Sequence, residues 1–410
     1  MKTWPLPLLM LPLIAAAADF PDLPPPQEVN AALESNIDVQ TAKTGISLEQ
    51  SNKERLKEGE HEFNLRTDSA QRHILDPGQR LREWGVSVER PIRLPEKAQI
   101  DNDIGTAGVT RAEYALGDAR HEASRMLLRL WYNWQREEAS ANQWQQQVGI
   151  LKQQAEITGK RVVAGDAPKM ELNQANAAVA QASVSLAQAR SKAMLAANDM
   201  VRQFPALRLP EKIEPADPQP ISHDFAYWHE RVLADNHELG MMQSERQIQQ
   251  LKAQRSRADK VPDPTIGLRY SSEFGGSELV TGVYLVVPLS FGLRDTIAKS
   301  AGYQAEISAE REASVKHRLE NDIKGVYAAA TSTFDTWRDA KDAAASMRQN
   351  ADLVARAYAL GESSLSDVLI ARRLALESSL SETMARLDAN ESRYRLMLDA
   401  HQLWPLDEGD

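Results

Sequence analysis

The chain has 410 residues, of which 26% are charged and only 6% are aromatic. This composition is more typical of long helices and coiled-coil seams than of a compact, aromatic-rich core. The formal net charge of −10 argues against nucleic acid as the main partner, because phosphate binding requires a surplus of Lys and Arg. The absence of Cys excludes disulfides, thiolate metal sites and cysteine nucleophiles.

Residues 1–18 have the pattern of a secretory signal peptide. Lys2 supplies a positive charge, residues 6–16 are mostly apolar, and residues 16–18 are three alanines before Asp19. The alternative is a membrane anchor, but Pro5, Pro7 and Pro12 interrupt the apolar stretch. No later run of about 18 apolar residues predicts a transmembrane helix. We therefore expect an exported chain.

The remaining chain contains an internal repeat. Four short elements recur in the same order about 200 residues apart, which is too long for a solenoid and indicates a duplicated half. The pairs are 63–66 and 266–269, 85–92 and 282–289, 164–166 and 360–362, and Phe204-Pro205 and Trp404-Pro405. This predicts a first repeat over 19–204, a proline-rich linker over 205–221, a second repeat over 222–405 and a tail over 406–410.

Each half is predicted to contain a helix, two strands and two further helices. In the first half a helix is expected over about 27–60, followed by two segments with a period of two, separated by a turn at 76–78. In the second half the turn is the glycine pair at 275–276. The sequence thus predicts four strands in two hairpins.

The long helices are the most unusual feature of this pattern. No proline interrupts residues 294–360, which would extend over roughly 100 Å as one helix. After Gly165 a second helix returns with apolar residues at alternating steps of three and four, a heptad seam. These positions are Leu172, Ala175, Val179, Ala182, Leu186, Ala189, Ala193, Ala196 and Met200.

Four strands with one apolar face would leave two open edges. Several copies of an exported chain could pool their strands into a closed barrel in an outer membrane. Two copies would be the minimum, and three would supply twelve strands. The alternative is a small soluble sheet that caps a helical stalk.

The segment from Tyr358 to Leu369 resembles the hairpin-tip motif of the TolC family of outer-membrane efflux channels: a Tyr, a Gly three residues later, and an acid six residues after that Gly. The resemblance implies a mostly α fold with a small β part. Two duplicated halves, each with two strands and a long helical hairpin, would form a trimeric α-barrel joined to a shared twelve-stranded transmembrane β-barrel. It also implies a homotrimer in outer-membrane lipid, with most of the chain in the periplasm, a periplasmic adaptor and an inner-membrane pump.

The resemblance further implies site residues. Asp367 matches an acid that rings the periplasmic mouth, Tyr358 matches a tyrosine that helps to hold it closed, and Glu171 follows Gly165 at the same distance. A second acid is replaced by Ile370, which leaves a single ring. Converging carboxylates would attract cations and raise one another's pKa. The alternatives are that Asp367 only complements a helix dipole and that Tyr358 only packs in the seam.

The two hairpin tips are expected to contact the adaptor. Gly165 and Gly361 tolerate the positive φ that a tight turn between antiparallel helices requires. The tip residues are Ala164, Gly165, Asp166, Leu360, Gly361 and Glu362. They could alternatively be turn formers only.

The predicted function is a passive outer-membrane exit duct for small molecules or ions, without cofactor or catalytic residues. Enzyme motifs such as a phosphate-binding glycine loop are absent from the sequence, and His223, His229 and His237 do not share one helix face. The alternative is a periplasmic coiled-coil adaptor or scaffold without a membrane barrel. The exported substrate is left open.

Overall fold

The structure, a computed structural model, describes residues 20–211 and 216–404. The predicted signal peptide, Pro215 of the linker, Pro405 and the tail lie outside the described residues. The first half contains α1 (Pro26–Glu34), α2 (Ile37–Glu58), β1 (Asn64–Ile74), β2 (Gln79–Pro91), α3 (Pro95–Ala164) and α4 (Lys169–Gln203). The second half contains α5 (Phe225–Ala234), α6 (His237–Ala258), β3 (Thr265–Glu273), a 3₁₀ turn, β4 (Glu278–Val286), α7 (Leu293–Ala359) and α8 (Leu365–Asp399).

The element order is the same in both halves, as the repeat predicts. The single helix expected over about 27–60 is wrong, however, because the chain breaks before α2. Asn36 caps α2 by accepting hydrogen bonds from the backbone N–H groups of Asp38 (2.9 Å) and Val39 (3.4 Å). Asn236 caps α6 in the same way through Leu239 N–H at 2.9 Å. Asparagine is a strong helix N-cap, so each of these residues begins a new helix.

The described chain forms two compact units, and each unit takes segments from both repeats. The helical unit comprises 20–32, 127–211, 216–221 and 331–393, and the sheet unit comprises 33–126, 222–330 and 394–404. The described linker residues, 205–211 and 216–221, lie in neither helix nor strand.

The sheet unit contains one antiparallel sheet in the order β1-β2-β3-β4. The four strands and their two hairpins confirm the prediction, but the strands of the first hairpin extend well beyond the segments that alternate in sequence. The two hairpins join through β2 and β3, where Val88 pairs with Leu268. β1 and β4 form the edges of this sheet.

The two faces of the sheet differ in chemistry. One register row crosses all four strands with apolar residues on one face: Leu65, Val88, Leu268 and Val283. Their exposed fractions are 69%, 42%, 62% and 73%. The neighbouring row on the opposite face is Arg66, Ser87, Arg269 and Gly282. The sheet therefore presents a solvent-exposed apolar face and a polar face.

The helical unit buries the predicted seam of α4. Seven of the nine seam positions are buried, and the other two, Leu172 and Val179, are partly buried. Leu186 and Ala182 pack with Val148 and Leu151 of α3. Small residues at these positions allow the helix backbones to approach closely. Across the part of the chain that the structure describes, none of the helices combines the length and the apolar character needed to cross a membrane.

Three histidine rings from separate segments meet in the sheet unit. The ring of His121 lies 6.1 Å from that of His237 and 4.9 Å from that of His401. His121 Nε2 lies 3.0 Å from the carbonyl oxygen of Leu398. Burial, followed by the charge of Arg125, lowers the pKa of His121 to about 2. Among the described residues, no group of three or more His, Cys, Asp or Glu side chains is arranged to hold a metal ion.

This burial predicts a pH-dependent stability. The unfolded chain takes up a proton at His121 below pH of about 6.5 while the folded chain does not, so the free energy of unfolding should fall as the pH decreases. His121→Gln removes this titration and keeps a donor for the Leu398 carbonyl. Between pH 7.5 and 5.5, the wild type should lose about 1 kcal/mol more than the variant in denaturant unfolding. Equal losses would contradict a buried neutral His121.

Candidate functional site

The candidate site lies at the tips of the two helical hairpins of the helical unit. Gly165 has a φ of +85° and Gly361 a φ of +82°, as the turn prediction requires. Asp166 N–H donates to the Arg161 carbonyl at 2.8 Å, and Glu362 N–H donates to the Ala357 carbonyl at 2.9 Å. These six-to-one hydrogen bonds are those of a Schellman motif. Both long helices thus end in the same way.

The residues predicted to contact the adaptor lie on the surface of the two tips. All six are exposed, and Leu360 at 75% is an exposed apolar side chain at the second tip. The six residues are Ala164, Gly165, Asp166, Leu360, Gly361 and Glu362. Turn formation and surface contact are compatible with this placement.

Asp367 takes part in a reciprocal cap at the start of α8. Its Oδ2 accepts from Ser364 N–H at 3.1 Å and from the Ser364 hydroxyl at 2.7 Å. Asp367 N–H donates in return to Ser364 Oγ at 3.2 Å. This is the geometry of a capping box. The Ser364 hydrogen bonds lower the pKa of the exposed Asp367, opposite to the rise expected from a ring of carboxylates.

Glu171 has a different partner, although it follows its tip glycine at the same distance as Asp367. The residue before α4 is Pro168, which makes no side-chain capping bond. Glu171 Oε2 instead accepts a hydrogen bond from the Tyr358 hydroxyl at 2.9 Å. The carboxylate of the first hairpin therefore bonds to the last turns of α7, in the second hairpin.

Tyr358 is held on several sides. It is only 6% exposed and packs with Ala175, Leu365 and Val368. The guanidinium of Arg161 lies over its ring, 4.8 Å from the centroid. Burial raises the pKa of Tyr358, so the hydroxyl is a proton donor at neutral pH. The side chain is thus both a seam residue, the alternative interpretation, and a polar link between hairpins.

In the structure Tyr358 and Glu171 are hydrogen-bonded to each other, whereas the carboxylate of Asp367 caps the start of its own helix, α8. Sequence reasoning missed Ser364 and Arg161. The spacing of Ser364 and Asp367 is a capping-box signal that could have been found. No local pattern indicates the position of Arg161 over a tyrosine about 200 residues away in sequence.

The repeated strand hairpins and paired long helices define the fold of TolC-family outer membrane channels. The chain is similar to the CmeC outer membrane channel of Campylobacter jejuni, with a TM-score of 0.76 at 13% identity over 94% of this chain and 86% of that one. It is also similar to the outer membrane protein VceC of Vibrio cholerae, with a TM-score of 0.73 at 14% identity over 92% and 95% of the two chains.

The open-state MtrE outer membrane channel of Neisseria gonorrhoeae gives a TM-score of 0.72 at 15% identity over 92% of this chain and 89% of that one. No protein-family profile matches the sequence, and no curated protein does. At these identities the likeness is one of fold.

Proposed function

We propose that this protein is the outer-membrane exit duct of a tripartite efflux system. Three copies form a passive conduit for small molecules or ions that an inner-membrane pump delivers through a periplasmic adaptor. The strands lie in the outer membrane and most of the chain lies in the periplasm. The observation that carries this proposal is a sheet with an exposed apolar face on a fold shared with outer membrane channels.

The strand arrangement supports assembly of several copies. β1 and β4 are the sheet edges, and unpaired edges are costly in a bilayer because backbone groups there find no water. Pairing β4 of one copy with β1 of the next satisfies both edges. Three copies then close a twelve-stranded barrel, with the row through Val88 and Leu268 toward lipid and the row through Ser87 and Arg269 toward the lumen.

The hairpin tips are proposed to form the periplasmic mouth. The hydrogen bond from Tyr358 to Glu171 fastens the two hairpins of one chain to each other and thus favours a closed arrangement. The exposed turns around Gly165 and Gly361 are proposed as the adaptor contact, and their exposure supports this role.

Assembly is the first test of the proposed function. The protein should migrate as a detergent-stable trimer from the outer-membrane fraction and form pores in planar bilayers. A soluble periplasmic monomer would instead support the alternative of a coiled-coil scaffold. An extracted monomer with no pore activity would refute the duct.

Asp367 remains a proposed selectivity residue. The three hydrogen bonds that its carboxylate accepts, from the hydroxyls of Ser363 and Ser364 and from Ser364 N–H, all end on Oδ2 and leave Oδ1 outside the cap. One residue could therefore serve both the cap and a ring of three charges. Asp367→Asn should reduce cation selectivity and block by multivalent cations in planar bilayers, with the trimer retained. Ser364→Ala, which weakens the cap by about 1 kcal/mol and keeps the charge, is the matched control.

The pH dependence of this site follows from the direction of the pKa shift. Because the Ser364 hydrogen bonds lower the pKa of Asp367, the wild type should lose cation selectivity at a lower pH than Ser364→Ala, whose ring carries the same charges without the hydroxyl. Unchanged selectivity in Asp367→Asn, with a loss of hairpin stability like that of Ser364→Ala, would leave Asp367 as a helix cap only.

A further inference from the structure

A cavity of about 630 Å³ lies in the sheet unit where the helices give way to strands. Its wall includes Phe63, Val88, Ile266 and Leu268. Val88 and Leu268 belong to the apolar row of the sheet, and Ile266 lies two residues along β3 on the same face. The cavity is therefore continuous with the surface proposed to face lipid. Its volume is within the range of small-molecule sites.

Arg90 supplies a positive charge at one end of this wall. It lies on β2 two residues from Val88, on the same face, and is exposed. Its guanidinium lies over the ring of Phe63, 4.9 Å from the centroid, and its Nε donates to the His61 carbonyl at 2.8 Å. Within residues 20–211 and 216–404, no carboxylate lies within salt-bridge distance of Arg90. The guanidinium thus has donors left for a ligand.

Two other charged groups of the cavity wall, Arg93 and Glu89, already have hydrogen-bond partners. Arg93 is occupied by the Leu56 and Lys57 carbonyls and Asp101. Glu89 accepts a hydrogen bond from Tyr284 at 2.7 Å.

A buried ring nitrogen of His61, Nδ1, has no hydrogen-bond partner among the described residues, and His61 lines the cavity. Glu58 is the remaining acid of the lining. The other ring nitrogen of His61, Nε2, lies 3.5 Å from Asp263 Oδ2, so the guanidinium of Arg90 is the group that the polar end of the cavity offers to a ligand.

We propose that this cavity binds a glycerophospholipid of the periplasmic leaflet, with its phosphodiester at Arg90 and its acyl chains along Val88 and Leu268. The inference rests on the proposed outer-membrane function, which places this end of the strands at a leaflet surface. A guanidinium forms charge-assisted, bidentate hydrogen bonds with a phosphate. A free phosphate would share the charge but leave the apolar wall uncovered, so a lipid fits the whole cavity better.

Native mass spectrometry of the detergent-solubilised trimer with added phosphatidylglycerol tests this proposal. Arg90→Gln should weaken lipid binding about tenfold, which corresponds to about 1.4 kcal/mol. Arg90→Lys should weaken it less, because the charge remains. Arg80→Gln is the matched control, since Arg80 is an exposed arginine on the same face of β2 near its other end. Its lipid binding should equal that of the wild type.

Two further ligands show whether the wild-type trimer recognises the lipid phosphate, the acyl chains or both. A diacylglycerol with the same acyl chains should bind about tenfold more weakly than phosphatidylglycerol, and millimolar inorganic phosphate should not displace the lipid. Three results would overturn the proposal without affecting the proposed trimer. They are equal binding of both lipids, equal losses in the Arg90 and Arg80 variants, and displacement of the lipid by phosphate. If Arg90→Gln does not form the trimer, the comparison of phosphatidylglycerol with diacylglycerol on the wild-type trimer still tests the proposal. Absence of any trimer would instead refute the proposed function.

Discussion

Replacing Val88 with arginine should reduce assembly of the proposed barrel. Val88 lies in a row of four apolar residues, one from each strand, and is 42% exposed within a single chain. In the proposed barrel this row faces lipid near the leaflet surface at Arg90, so an arginine there costs less than the about 2–4 kcal/mol of the bilayer midplane. Each trimer would carry three such residues. The measurement is the fraction of detergent-stable trimer in the outer membrane.

Val280→Arg is the matched control for this prediction. Val280 is also a half-exposed valine of the sheet, but it pairs with Ser271 on the opposite face, in the row of Asp68 and Gly85. An arginine there faces the proposed lumen, and trimer yield should be close to that of the wild type. Normal assembly of Val88→Arg, or equal loss in both variants, would show that the apolar face is not in contact with lipid.

Tyr358→Phe should increase the open probability of the proposed channel about tenfold or more. The substitution keeps the ring in its pocket and removes the hydroxyl that donates to Glu171 and contacts Thr158. A hydrogen bond to a charged group contributes about 1.5–3 kcal/mol, and every 1.4 kcal/mol changes an equilibrium about tenfold. Single-channel recording in planar bilayers measures the shift.

Tyr303→Phe provides the control for Tyr358, because Tyr303 lies on the same helix but is 63% exposed. Its open probability should be unchanged. Glu171→Gln keeps an acceptor for the tyrosine and should have a smaller effect than Tyr358→Phe. An open probability of Tyr358→Phe equal to that of the wild type would mean that Tyr358 serves packing alone.

Local patterns predict the helices and turns of this chain well. The seam of α4 is visible because burial on one helix face requires a heptad spacing, and Ala175 through Met200 follow it. The tips are visible because positive φ favours glycine, as at Gly165 and Gly361. The boundary at Asn36 was missed because a capping asparagine leaves helical periodicity on both sides intact.

Strand pairing and contacts between residues far apart in the sequence are harder to predict from local patterns. In β1, residues such as Gln71 and Arg72 show no apolar alternation, yet they continue the strand because β2 supplies a partner for their backbone groups. Likewise, Glu171 and Asp367 have the same spacing from a tip glycine. Their different contacts depend on the residue that precedes each helix and on a tyrosine of the other hairpin.

The reciprocal cap at α8 has a consequence for how the two halves diverged. Pro168 stands where the second half has Ser364, and this one difference leaves Glu171 available to Tyr358. Pro168→Ser would introduce the Ser-x-x-Glu pattern of a capping box. Glu171 could then bond either to the new cap or to Tyr358. In a ring of six identical half-length chains, every such change would occur at all six tips at once. In the proposed trimer of duplicated chains the symmetry is only threefold, so one tip can bond to its neighbour while the other keeps its cap.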